Sequence, residues 1–169
     1  MTSVGWEFEK HVADIDETEG VEERAEDYVV RLAKEKALAV AAHYPEAIVL
    51  GADTTVVIDD QIIAKPNDHA HARDMLRVLS GRWHEVLTGV AIAQDGALRT
   101  GMQRTRVKFS AMTDDEIDFL VEEGDPLDKA GAYAVQAQAA LFIEEIDGDY
   151  WNVVGLPVSL VYRLVRISS

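Results

Sequence analysis

Apolar residues change their spacing several times along this chain, and each change predicts an element. From Ala47 to Ile58 they run almost unbroken, as Ala47-Ile48-Val49-Leu50-Gly51-Ala52-Asp53-Thr54-Thr55-Val56-Val57-Ile58. The run is rich in β-branched residues and predicts a central strand. From Val21 to His43 the spacing is helical, with a stripe of Ala25, Val29, Leu32, Ala33 and Val40. Glu22, Glu23 and Glu26 crowd the start of this helix, where its dipole favours negative charge, and Pro45 follows its end. His69 to Leu79 repeats the pattern with Ala72, Met75, Leu76 and Leu79 inward, stopped by Ser80-Gly81. Leu156-Pro157 opens a last helix, whose predicted buried side is Val158, Val161, Tyr162 and Val165.

Between these lie shorter alternating runs. Gly5 to Val12 alternates loosely and predicts a strand. Asp59-Asp60 is a tight turn after which Gln61 to Ala64 returns as a hairpin partner. Arg82 to Ala93 and Ala97 to Phe109 flank Gln94-Asp95-Gly96 and predict a long hairpin. Its second arm sets Met102, Arg104 and Arg106 against Gln103, Thr105 and Val107. Thr113-Asp114-Asp115-Glu116 is a capping box opening a helix to about Glu123. Ala140 to Ile146, the turn Asp147-Gly148 and Tyr150 to Val154 predict a further hairpin. Helices and strands are mixed without a strict βαβ repeat. The expected class is α/β, a mixed sheet with helices packed on it, in one domain of 169 residues.

Composition narrows the partners. The formal charge is −15, which argues against a nucleic-acid backbone or an anionic membrane as the main partner. A small anionic substrate would have to meet a local cluster of Lys or Arg, or a divalent metal. Cysteine is absent, so there is no disulfide, thiolate zinc site or cysteine nucleophile. No apolar run reaches membrane-spanning length. The start, Met1-Thr2-Ser3-Val4-Gly5-Trp6-Glu7, has neither the basic nor the apolar region of a signal peptide, so a cytoplasmic location is expected.

Against that background a few polar residues stand out. Asp53 interrupts the apolar strand, and an ionised carboxylate is costly to bury without a cation or metal. It either caps a turn or marks a site; the run continuing through it favours the site. Lys36, four after Leu32 and four before Val40, falls on the apolar stripe of the first helix. It either snorkels to the edge or points at an anion. Ala13 to Gly20 is acidic, and Asp14, Asp16 and Glu17 are its candidates for a hard cation, with the choice among them open. Lys65-Pro66 follows just beyond the central hairpin. Leu127 to Gln136 packs Asp128, Lys129 and an amide among small residues. The Gln136 amide, both donor and acceptor, is either a surface group or a reader of a base edge.

Several stretches occur in one order: Asp16-Glu17, Arg31-Leu32-Ala33-Lys34-Glu35-Lys36-Ala37, Gly51-Ala52-Asp53-Thr54, Lys65-Pro66, Leu79-Ser80-Gly81-Arg82, Thr88-Gly89-Val90, Asp128-Lys129-Ala130-Gly131-Ala132-Tyr133 and Asn152-Val153-Val154-Gly155-Leu156-Pro157. Together, from about Phe8 to the last helix, they resemble the Maf nucleotide pyrophosphatases. The resemblance implies a fold like that of the inosine triphosphate pyrophosphatases, two lobes around a cleft. It implies hydrolysis of a nucleoside triphosphate to the monophosphate and pyrophosphate, assisted by a divalent cation, Mg²⁺ or Mn²⁺. Asp53 falls on the family's proposed base, and Glu17, Lys36 and Lys65 on its other catalytic positions, with Glu17 and Asp53 as metal ligands. Thr54, Gln136, Asp128, Lys129 and Arg82 fall among substrate-binding positions. Thr54 and Gln136 match the branch that favours dTTP and UTP.

One part of the family pattern is absent. Members begin with a short strand and an Ala-Ser-x-Ser-Pro-Arg-Arg phosphate loop, and Met1 to Gly5 corresponds only to the tail of the helix after it. The expectation is a domain incomplete at its N-terminus through a start upstream. The rival is a catalytically impaired nucleotide-binding or cell-division regulatory protein. A homodimer is held open as the assembly.

Overall fold

The structure is a computed structural model that describes residues 4–166. The match of Met1–Ser3 to a helix tail lies outside those residues. The chain runs α1 (Ala25–Ala41), β1 (Val49–Ile58), β2 (Gln61–Ile63), α2 (His69–Leu79), β3 (Trp83–Gln94), β4 (Ala97–Phe109), α3 (Asp114–Glu123), β5 (Ile143–Asp147), α4 (Tyr150–Val154) and α5 (Val158–Arg166). The strands form one sheet in the order β2-β1-β3-β4-β5. β1 pairs antiparallel with β2 through Val56↔Ile63, Val57↔Ile62 and Ile58↔Gln61. β4 pairs antiparallel with β5, with a register shift between Lys108 and Phe109. Asp59 and Asp60 both take positive φ, 51° and 60°, as a two-residue hairpin turn of this hand requires.

The chain divides into two compact units. The first holds the chain up to Asp53, Gly89–Met102 and the chain from Val158 onward; the second holds Thr54–Thr88 and Gln103–Pro157. β1, β3 and β4 each contribute residues to both.

In the first unit α1 lies against β1 and β3 at backbone contact. A Cβ on Gly51 would stand 2.2 Å from the Ala33 carbonyl oxygen, and one on Gly89 2.1 Å from that of Val29. Only glycine allows this approach. Small residues, Ala33, Ala37, Ala91 and Ala93 with Val49, fill the remaining core. The helix and strand backbones are therefore close enough for Lys36 to reach β1.

The second unit has the larger apolar core, where α2 and α3 pack with β-strand residues. Leu76, Leu79, Val86, Val107, Phe109 and Ile117 are all buried. The inward residues of α2 are those its period predicts. α3 carries the complete capping box of Thr113 and Glu116.

Four expectations are corrected. Residues 5–12 form no strand; their rings line an apolar hollow of about 660 Å³ with Val40, Tyr44, Ile48 and Val161 in the first unit. Alternation without a neighbouring ladder does not make a strand. Tyr150–Val154 is a helix, because Asp149 caps it by accepting from the Trp151 N–H at 2.8 Å, and Gly155 ends it at φ 107°. β5 therefore pairs with β4 and not with that segment. The first helix begins at Ala25 rather than Val21, and in α5 the buried residues are Leu160, Val161 and Leu164, while Tyr162 is half exposed.

Candidate functional site

Three of the singled-out residues meet in the first unit. The Lys36 Nζ donates to Asp53 Oδ1 at 2.6 Å and lies 2.6 Å from Glu17 Oε1. Asp53 comes from the middle of β1, Lys36 from α1 above Gly51, and Glu17 from the acidic loop. Their side chains are 11%, 23% and 47% exposed, so the group grades from the interior to solvent. Burial alone would lower the Lys36 pKa; the hydrogen bonds and charges of Asp53 and Glu17 outweigh it and hold the ammonium above its usual range. The group thus carries two carboxylates around one cation, and solvent reaches it from the Glu17 side.

The other two carboxylates of the loop do different work. Asp16 is exposed and accepts the Thr18 N–H at 2.9 Å; hydrogen bonding to the Thr18 side chain, and then to its backbone, holds the Asp16 pKa below the usual range. It shapes the turn that carries Glu17. Asp14 is exposed. Hard divalent cations take oxygen ligands and commonly use one or two carboxylates together with phosphate oxygens. Glu17 and Asp53 supply such a pair. Among the described residues no group of three or more metal-ligating side chains occurs, so water or phosphate oxygens would complete the shell of a cation held there.

The second unit holds the remaining candidates. Lys129 pairs with Asp128 at 2.6 Å and donates to the Asp125 carbonyl at 2.8 Å. Its hydrogen bond is the main cause that lowers the Asp128 pKa, and the charge of Lys65 adds to it. The Gly131 N–H donates to the Ala64 carbonyl at 3.3 Å, tying the segment after Lys129 to the one before Lys65. Arg82 grips both carboxylate oxygens of Asp59 at 2.7 and 2.8 Å. Gln136 is exposed in a turn.

Thr54 enters a neutral polar network that sequence patterning does not reveal. Its Oγ1 lies 2.9 Å from Thr88 Oγ1, which donates to the Asn152 carbonyl at 3.2 Å. The fully buried Asn152 donates through Nδ2 to the Val86 carbonyl at 2.9 Å and to Thr105 Oγ1 at 3.1 Å. Nearby in the core His84 Nε2 is 2.7 Å from the Tyr133 hydroxyl. Burial pushes the His84 pKa down to about 4 and the Tyr133 pKa up. The signal that marks Asp53, a polar residue inside an apolar run, also marks Asn152 in Trp151-Asn152-Val153-Val154.

Comparison with known proteins places this geometry in context. The family described as Maf-like protein matches residues 1–167. A Bacillus cytotoxicus protein named dTTP/UTP pyrophosphatase is 47% identical over 159 residues, covering 94% of this chain and 82% of that protein. Proteins of the same name are 46% identical in Bacillus mycoides over 159 residues (94% and 82% covered) and in Bacillus cereus over 162 residues (96% and 83% covered).

Proposed function

The chain belongs to the Maf family, and we propose that it hydrolyses a pyrimidine nucleoside triphosphate, dTTP, UTP or a base-modified relative, to the monophosphate and pyrophosphate. The observation that carries this reading is the Glu17–Lys36–Asp53 group, in a chain nearly half identical to proteins named for that reaction. The cytoplasm is the compartment where such a substrate is available; among the described residues no helix is long and apolar enough to cross a membrane.

In this mechanism Asp53 orients a water molecule and takes its proton. The water oxygen bonds to the α-phosphorus while the bond from that phosphorus to the bridging oxygen breaks. Pyrophosphate departs with the electron pair. Lys36, held charged between its two carboxylates, balances charge that builds on the phosphates. Lys65 and Lys129 neutralise phosphate oxygens, and Arg82 is a further cation for the substrate. Thr54 and Gln136 contact the base. Glu17 and Asp53 would hold a divalent cation, Mg²⁺ or Mn²⁺, which supplies Lewis-acid polarisation of the phosphate when bound.

The test is release of pyrophosphate, as against orthophosphate, from dTTP and UTP. Asp53→Asn is expected to lower turnover at least ~100-fold while leaving the fold intact. An unchanged rate would remove Asp53 from the chemistry. Nucleotide binding without any turnover would favour a binding role.

A further inference from the structure

Glu17 sits on a segment with no regular structure: residues 6–20 belong to no helix or strand. A backbone without a ladder needs other partners for its amides and carbonyls. Here α1 supplies them. The Tyr28 hydroxyl donates to the Glu17 carbonyl at 3.0 Å. Arg31 Nη2 donates to the Thr18 carbonyl at 3.0 Å. Arg31 also grips Glu23 through Nε at 2.7 Å and Nη2 at 2.8 Å, and Glu23 Oε2 accepts the Gly20 N–H at 2.9 Å. The guanidinium lies against the Tyr28 ring, 5.6 Å from its centroid, and its Nη1 reaches Glu35 at 3.4 Å. Tyr28, Arg31 and Glu35, at i, i+3 and i+7, form one helix face turned to the loop.

We propose that Tyr28 and Arg31 are positioning residues, which fix the backbone of Glu17 and Thr18 on α1 and so set where the Glu17 carboxylate stands beside Lys36 and Asp53. This inference rests on the reading of those three residues as the reacting site. The residue types suit the task. Arg31 makes three kinds of contact at once from one planar fork, which a lysine ammonium cannot do. Tyr28 reaches past its own ring to a carbonyl with a single hydroxyl. Neither contact is to an apolar core, and both fall on the two consecutive carbonyls at and after the candidate carboxylate.

The test compares Tyr28→Phe, Arg31→Lys, Glu17→Gln and the two double variants that include Glu17→Gln. The first readout is pyrophosphate release from dTTP with Mg²⁺, with kcat and KM separated. Tyr28→Phe removes one hydrogen bond and should lower kcat about fivefold. Arg31→Lys should lower it roughly 10- to 30-fold. KM should stay within about twofold in both. In the Glu17→Gln background neither substitution should lower kcat further, because the group they position is gone. The same factors on either background would overturn the proposal, as would a wild-type kcat in Tyr28→Phe when Glu17→Gln is impaired. An unimpaired Glu17→Gln would remove the role of Glu17 itself, and this proposal with it. A second readout needs no turnover: amide exchange at Thr18 and Gly20 should quicken in Arg31→Lys, and unchanged exchange at both would also overturn the proposal.

Discussion

Asp53 and Thr54 are consecutive residues of one strand, yet they belong to polar regions built on opposite principles. Asp53 joins a charged group that grades out to solvent through Lys36 and Glu17. Thr54 joins a neutral network that runs through Thr88 to the fully buried Asn152. Successive side chains of a strand point to opposite faces, so one strand can serve both. The difference follows from the cost of burial. Charges are tolerated where each meets an opposite charge and water remains near. Neutral hydroxyls and amides can be buried completely once they are hydrogen-bonded. The charged region therefore keeps its ionised groups within reach of solvent, and the neutral region holds α4 against the strands.

Substitution should separate the two regions. The largest effect is expected in the charged one. Lys36→Met leaves Glu17 and Asp53 facing one another without their cation, and turnover should fall by roughly 10²- to 10³-fold. Steady-state pyrophosphate release measures it; a loss below threefold would mean the lysine is only a structural partner of Asp53.

The next effect concerns acid. His84 is buried, with its pKa pushed from 6.5 down to about 4, so the unfolded chain binds a proton that the folded chain refuses. Stability that is present above pH 6.5 should be lost as the pH falls toward 4, by roughly 3 kcal/mol in all. Urea unfolding at several pH values measures this, and His84→Phe should flatten that part of the profile. An equally steep profile in His84→Phe would assign the loss to other groups. Lys36 has the opposite sign. Its pKa is raised above 10.5, so the stability from its pairing is present below that value and fades only as the pH rises past its folded pKa.

The smallest of these effects belongs to the neutral network. Asn152→Ala removes one hydrogen bond from the Val86 carbonyl and one from the Thr105 hydroxyl, which keeps its two bonds to Asp149, and should cost about 2 kcal/mol of stability. Thermal unfolding measures it, with kcat expected to fall less than in Lys36→Met. A large kcat loss without a stability loss would reverse the comparison, making the neutral network part of the chemistry.

Much of the fold was legible because its signals are local. The inward residues of α2, the capping box of α3 and the acidic hairpin turn all follow from spacing and turn chemistry within a few residues. Tyr150–Val154 was expected as a strand from its alternation, whereas the caps Asp149 and Gly155 make it the helix α4. The run from Gly5 to Val12 misleads for the converse reason. Its pattern suits a strand, and nothing in a pattern says whether a ladder stands beside it.

The sequence by itself determined that an aspartate interrupts an apolar strand, that a lysine lies on the apolar stripe of a helix, and that cations are scarce enough for each to matter. Those are statements about single residues against their neighbours, and local physics decides them. Only the tertiary structure decided that Asp53 and Lys36 face each other, because that depends on two glycines letting α1 touch β1 and β3. It also set the Glu17 carboxylate 2.6 Å from the Lys36 ammonium, a distance that no local pattern encodes. Distances between elements far apart in sequence are set by packing, and packing has no period that a chain of letters can display.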